Sequence, residues 1–266
     1  MQVLDPKITL AFLLGATAYA FIIPTRSASR LHRVNNDPSS LRMNFISDMG
    51  ELLNGGKLVA QSSLPYDPPF SSSVSISDKT RTFAVAERLI SFTGEDFDIV
   101  NSNGSKFARV RGAMMHLPGK DKMRMYSNAD GKEVVVLDRV LIAATPSYDL
   151  YRGGTGAEKI GWIEKKLVAL TDTFDVYMEG KGGFGITGMF KPPPAYRITG
   201  DFIDRNFVFK NEKGETVAKV CMDGLIQFDA FNHYQVQVAP GMDALLVLAC
   251  ACAIDEEFDE EHKKKK

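Results

Sequence analysis

The chain has 266 residues, 44% of them hydrophobic and 24% charged, which is room for one large or two small globular domains. Its formal net charge of -1 comes from 32 Lys/Arg and 33 Asp/Glu, and residues 1–43 hold five of those cations and only two acids. The acidic remainder argues against a dedicated nucleic-acid binder, and three cysteines are too few for a disulfide framework.

Residues 8–20, ITLAFLLGATAYA, form an apolar run too short to span a bilayer and end in a small-x-small cleavage pattern, Ala18-Tyr19-Ala20. The segment from Phe21 to residue 43 carries Arg26, Arg30, Arg33 and Arg42 with several serines and one acid, Asp37. That order, a signal peptide over 1–20 and a transit-peptide-like stretch over 21–43, resembles the bipartite presequence of algae with secondary red-type plastids. The Ala20-Phe21 junction carries the resemblance. It implies delivery to a plastid, with the secretory pathway as the alternative, and leaves no transmembrane span in the mature chain.

Residues 44–79 read as a short helix ending near Gly55-Gly56, then a segment with three prolines and seven serines between Ser62 and Ser77. This second part is either a linker or an extended arm lying on the domain surface.

From about Thr80 the pattern becomes period-two segments separated by Asn/Asp/Gly turns, the grammar of β-hairpins. FDIVNSNGSKFARVRG, KMRMYSNADGKEVVVLDRV and NFVFKNEKGETVAKV are three repeats of strand, glycine turn and strand. DTFDVYME, GFGITGMF, AYRITGDF and NHYQVQV bring the expected total to twelve or thirteen strands. A sheet of that size closes to hide its edges, and a closed ring of about twelve strands is too wide for its own side chains to fill.

The filler follows. From Met242 to Ile254 only Asp243 is polar, so a helix there is apolar on every side and must be surrounded. Thirteen residues rise about 20 Å, short of a hydrocarbon core. The expected fold is therefore α+β and mostly β: a closed antiparallel barrel over residues 80–258 around a central hydrophobic C-terminal helix. Asp243 belongs at the start of that helix, where a carboxylate suits the dipole. The run Asp255-Glu256-Glu257 is wrong for a helix C-terminus, so fraying is expected there, with a charged disordered tail over 259–266.

These hairpins, together with SYDLYRG and the closing YQVQVAPGMDALLVLACACAID, resemble the LURP-one-related family of the tubby C-terminal-like superfamily, relatives of the phospholipid scramblases. Pro240, Gly241 and Asp243 match the family's closing turn, and Leu246 lies in its helix. The likeness runs from Phe83 to Asp255 and departs in the glycine- and proline-rich stretch 179–198. It implies a twelve-stranded barrel. It also brings three expectations for function: binding of anionic phospholipid or phosphoinositide at a membrane surface, a protein-interaction scaffold in stress or defence signalling, or scramblase-like lipid transport. The last is weakest, because no palmitoylation segment or calcium loop is present.

No catalytic, metal or cofactor pattern stands out, and no enzyme is expected. The four histidines are scattered, and no phosphate loop or nucleophile elbow occurs. Cys250 and Cys252 fall about 200° apart on the helix and read as buried small hydrophobes. Asp130, Asp175, Asp201 and Asp204 read as turn acids. The best binding candidate is external. Alternation turns Ala108 and Val110 inward and Phe107, Arg109 and Arg111 outward, with Met123 and Met125 inward and Lys122, Arg124 and Tyr126 outward. If those strands are neighbours, their cations and Lys120 on the connecting loop make one basic face for an anionic headgroup or an acidic partner. Lys165-Lys166 is read as an exposed pair and Trp162, alternating with Ile160, as core.

Overall fold

The protein's computed structural model describes residues 56–87, 96–112, 122–154, 158–166, 172–179, 192–222 and 233–264. The presequence, the helix expected over 44–55 and the strand expected at GFGITGMF lie outside them. Twelve strands are found among the described residues: β1 (Arg81–Glu87), β2 (Phe97–Asn101), β3 (Lys106–Arg111), β4 (Lys122–Ser127), β5 (Glu133–Arg139) and β6 (Ser147–Arg152) in the first half. β7 (Lys159–Lys165), β8 (Thr173–Met178), β9 (Tyr196–Asp201), β10 (Asn206–Asn211), β11 (Thr216–Cys221) and β12 (His233–Val238) follow, and then helix α1 (Ala244–Lys264). Each strand pairs antiparallel with its sequence neighbours, and β12 returns to β1, so the sheet closes into a barrel. Gly104, Gly131 and Gly214 occupy the tight turns with φ of 79°, 69° and 78°, as the hairpin pattern requires.

From Ala244 to Ile254 no side chain of α1 is more than 1% exposed. A helix hidden on all faces is enclosed by the ring, against inward residues such as Ile99, Val135, Leu150, Ile198 and Val236, all fully buried. Because all connections are hairpins, one end of the barrel carries the turns after even-numbered strands together with the start of α1. The other end carries the connections after odd-numbered strands and the end of α1.

Two faces run against simple alternation, and bulges are the reason in both. Ile99 pairs with Ala108 and Val100 with Lys106, which leaves Phe107 as the extra residue. Phe107 is buried, its ring 4.7 Å from that of Phe83. Opposite Leu150 and Tyr151, Ile160 is the extra residue and goes inward, which turns Trp162 to the outside. Trp162 is half-buried there, stacked on Tyr177 at 4.8 Å and 12°.

The C-terminal boundary also differs from expectation. α1 does not fray at the acidic run but continues through it, and its backbone stays helical to Lys264, into the segment expected to be disordered. Asp255 accepts from Arg205 Nε, and Glu257 accepts from Arg139 Nη2 at 2.9 Å and from the Tyr148 hydroxyl at 3.4 Å. Guanidinium groups from the barrel wall thus offset the unfavourable charge at the helix end. Phe258 packs between Phe174 and Phe202, stacked on Phe202 at 5.5 Å.

Candidate functional site

β3 and β4 are adjacent, with Arg109 opposite Tyr126 and Arg111 opposite Arg124. Met123 and Met125 are buried inside, so Lys122, Arg124 and Tyr126 face out with Arg109 and Arg111. The four cations therefore do share one outer face; Lys120 lies outside the described residues. Neighbouring strands supply acids that alternation alone did not reveal. Arg111 bonds Asp96 at 3.0 Å, Lys122 bonds Asp138 at 2.8 Å and Arg124 bonds Glu133 at 2.5 Å. The hydrogen bond to Glu133 raises the Arg124 pKa further. Arg109 lies over the Tyr126 ring at 5.5 Å. Side-chain exposures of 46% for Arg111 and 47% for Arg124 leave both guanidinium groups open to solvent on one side.

Lys165 and Lys166 are not an equivalent pair. Lys165 is 13% exposed, over the Phe258 ring and near Asp172, whereas Lys166 bonds Asp175 at 3.0 Å. Asp175 is no turn acid: it lies on β8, 1% exposed, held also by Arg197 Nε at 2.8 Å. Two cations on neighbouring segments explain how a carboxylate tolerates that burial.

The Ser/Pro-rich segment is an arm on the barrel, and Asp243 is what fastens it. Asp243 is the N-cap of α1 rather than a residue of its first turn. Its Oδ1 accepts from the Leu245 and Leu246 amides at 3.0 and 3.3 Å and from the Ser75 hydroxyl. Its Oδ2 accepts from the Tyr66 hydroxyl at 2.8 Å and the Phe70 amide at 2.9 Å. Burial, and then the neighbouring carboxylate, hold the Tyr66 hydroxyl well above its usual pKa, so it remains a donor. Backbone bonds from Gln61 to Pro240 and from Gly241 to Ser77, each 2.8 Å, tie the arm to the turn before α1. Gly241 has φ of 74°, and a methyl group there would overlap the Gln61 carbonyl.

Three clefts of ≈ 150, 500 and 380 Å³ lie along the seams between this arm and the barrel. The largest is lined by Tyr66, Asp67, Arg152, Glu158, Lys159 and Glu179 among others, and Arg152 is committed to Glu158 and the Pro68 carbonyl. Among the described residues, no cluster of three or more His, Cys, Asp or Glu is placed to hold a metal ion. Cys250 and Cys252 are fully buried, and burial raises both thiol pKa values far above the usual range. No helix of the described residues is long and apolar enough to cross a membrane.

A family model described as LURP-one-related matches residues 81–255, from the first residue of β1 to the acid that Arg205 holds on α1. Among solved structures, the chain is similar to the X-ray structure of a protein from Arabidopsis thaliana, with a TM-score of 0.52 at 16% identity. That likeness covers 72% of this chain and 98% of the other, and at such identity it speaks for the fold alone. The curated proteins give no match.

Proposed function

The chain belongs to the LURP-one-related family, and from that premise we propose a non-enzymatic barrel that binds anionic phospholipid at a membrane surface. Arg109, Arg111, Lys122 and Arg124 on the outer face of β3 and β4 are the contact residues. The carrying observation is that Arg109, Arg111 and Arg124 are exposed and Lys122 partly so, although Arg111, Lys122 and Arg124 each hold an acid. The acids beneath them are largely buried, Asp96 at 9% and Glu133 at 15%, so they stay paired while a phosphate meets the open side of each guanidinium. Arginine adds a fork geometry that matches phosphate oxygens, and the Arg109 guanidinium also lies over the Tyr126 ring at 5.5 Å. A non-catalytic role is supported by α1, which occupies the interior where an open barrel would hold a substrate.

Vesicle flotation tests this reading. The wild type is expected to float with vesicles containing anionic lipid and to stay behind with neutral ones. The variant carrying R109A, R111A, K122A and R124A should lose most of that binding while keeping its circular dichroism spectrum. Equal flotation of the two proteins, or none on anionic vesicles, overturns it. Plastid delivery through residues 1–43 is proposed with it, on the Ala20-Phe21 junction. A fluorescent fusion should enter the plastid, and one lacking residues 1–20 should not.

A further inference from the structure

Five large apolar side chains are exposed among the described residues: Ile76, Leu141, Ile142, Ile203 and Met222. Ile76 belongs to the arm. The other four sit on connections that follow odd-numbered strands: Leu141 and Ile142 between β5 and β6, Ile203 between β9 and β10, and Met222 after β11. Strand order therefore places all four at the same end of the barrel, the end opposite the arm. Ile142 is 97% exposed, Ile203 65%, Leu141 62% and Met222 42%.

The chemistry around these tips chooses their partner. Arg111, Lys122 and Lys166, with side chains 46%, 35% and 38% exposed, lie at or beside strand ends on this same side, whereas Arg139, Lys165 and Arg205 there are turned to α1. The cationic face of β3 and β4 thus reaches the apolar end at Arg111 and Lys122. α1 leaves the barrel here too. Past Phe258 its backbone continues for six residues, about 9 Å.

We propose that this end of the barrel is a membrane-docking surface, with Leu141, Ile142, Ile203 and Met222 entering the bilayer interface and Arg111, Lys122 and Lys166 meeting anionic headgroups. Tips on three separate hairpins, spread around a ring, suit a flat surface better than a groove for a peptide. Apolar contact and exposed cations are the two signals that together give stable peripheral binding, neither being sufficient alone. Asp172 and Asp204 are exposed on the same side and limit insertion to headgroup depth.

End-on docking rests on the lipid-binding reading above, and the experiment separates the two. In a Cys221→Ser background, an environment-sensitive fluorophore is placed at Ile142→Cys, Ile203→Cys or, as a control at the opposite end, Lys132→Cys. Vesicles containing anionic lipid should blue-shift the first two labels and leave the third unchanged. The double variant I142D/I203D should keep its melting temperature, since both residues are exposed, and lose about tenfold or more in vesicle partitioning. Flotation with both tip labels still water-like overturns end-on docking but leaves lipid binding standing. No flotation overturns both. A dimer abolished by I142D, formed without vesicles, overturns docking in favour of self-association.

Discussion

The two ends of the barrel are closed by opposite means. At one end a single carboxylate, Asp243, gathers neutral donors from an arm lying about 170 residues earlier in the chain, and every one of its partners is a hydroxyl or an amide. At the other end α1 supplies Asp255 and Glu257, and the wall answers with Arg205 and Arg139. Both closures bury their carboxylates, and the first also covers its end with the arm. The second leaves apolar tips in solvent. A seal made from distant backbone is fixed, whereas one made from side-chain charge leaves the surrounding loops available for contact.

The harshest way to break the comparison is to destroy the axis that both ends share. Leu246→Asp places an unpaired carboxylate where the side chain is 1% exposed. It should cost more than about 4 kcal/mol and yield insoluble protein. A soluble variant with a cooperative melt would contradict the enclosed helix. Next comes Asp243→Ala, which removes the cap and strands the Tyr66 and Ser75 hydroxyls and the Phe70 amide. A loss of about 3–5 kcal/mol in urea unfolding is expected, with early protease cleavage of the arm. At the other end Arg139→Met should also cost about 3–5 kcal/mol, because Glu257 is only 4% exposed and would be left a buried charge. Adding Glu257→Leu should recover most of that loss, whereas no apolar residue at position 243 can satisfy five donors. No recovery from Glu257→Leu, or recovery at 243 by leucine, would erase the distinction.

Much of this was legible in the sequence because it is periodic. Glycine turns, alternation and the all-apolar helix set the barrel and its filling, and alternation along β4 placed Met123, Met125 and their outward neighbours correctly. It failed at Phe107 and Trp162 because one extra residue in a strand reverses every face beyond it, and nothing in a single strand marks the bulge. Asp175 was expected in a turn because an isolated acid gives no hint of Lys166 and Arg197. The helix end was misjudged for the same reason, its arginines lying on β5 and beside β9. For the basic face, position could be read but pairing could not, since Asp96, Glu133 and Asp138 reach it only through register. Tyr66, Phe70 and Ser75 carried no local sign of a shared acceptor.

The enclosing of α1 has a consequence for biosynthesis. The segment around which all twelve strands close is made after all of them, so none of the inward faces has its partner while the ribosome is still producing β12. Nascent hairpins must wait with their apolar sides uncovered, the condition under which chains recruit chaperones or aggregate. Completion of the barrel is thus tied to release of the final helix from the exit tunnel, and truncation ahead of Ala244 would leave a ring with no centre.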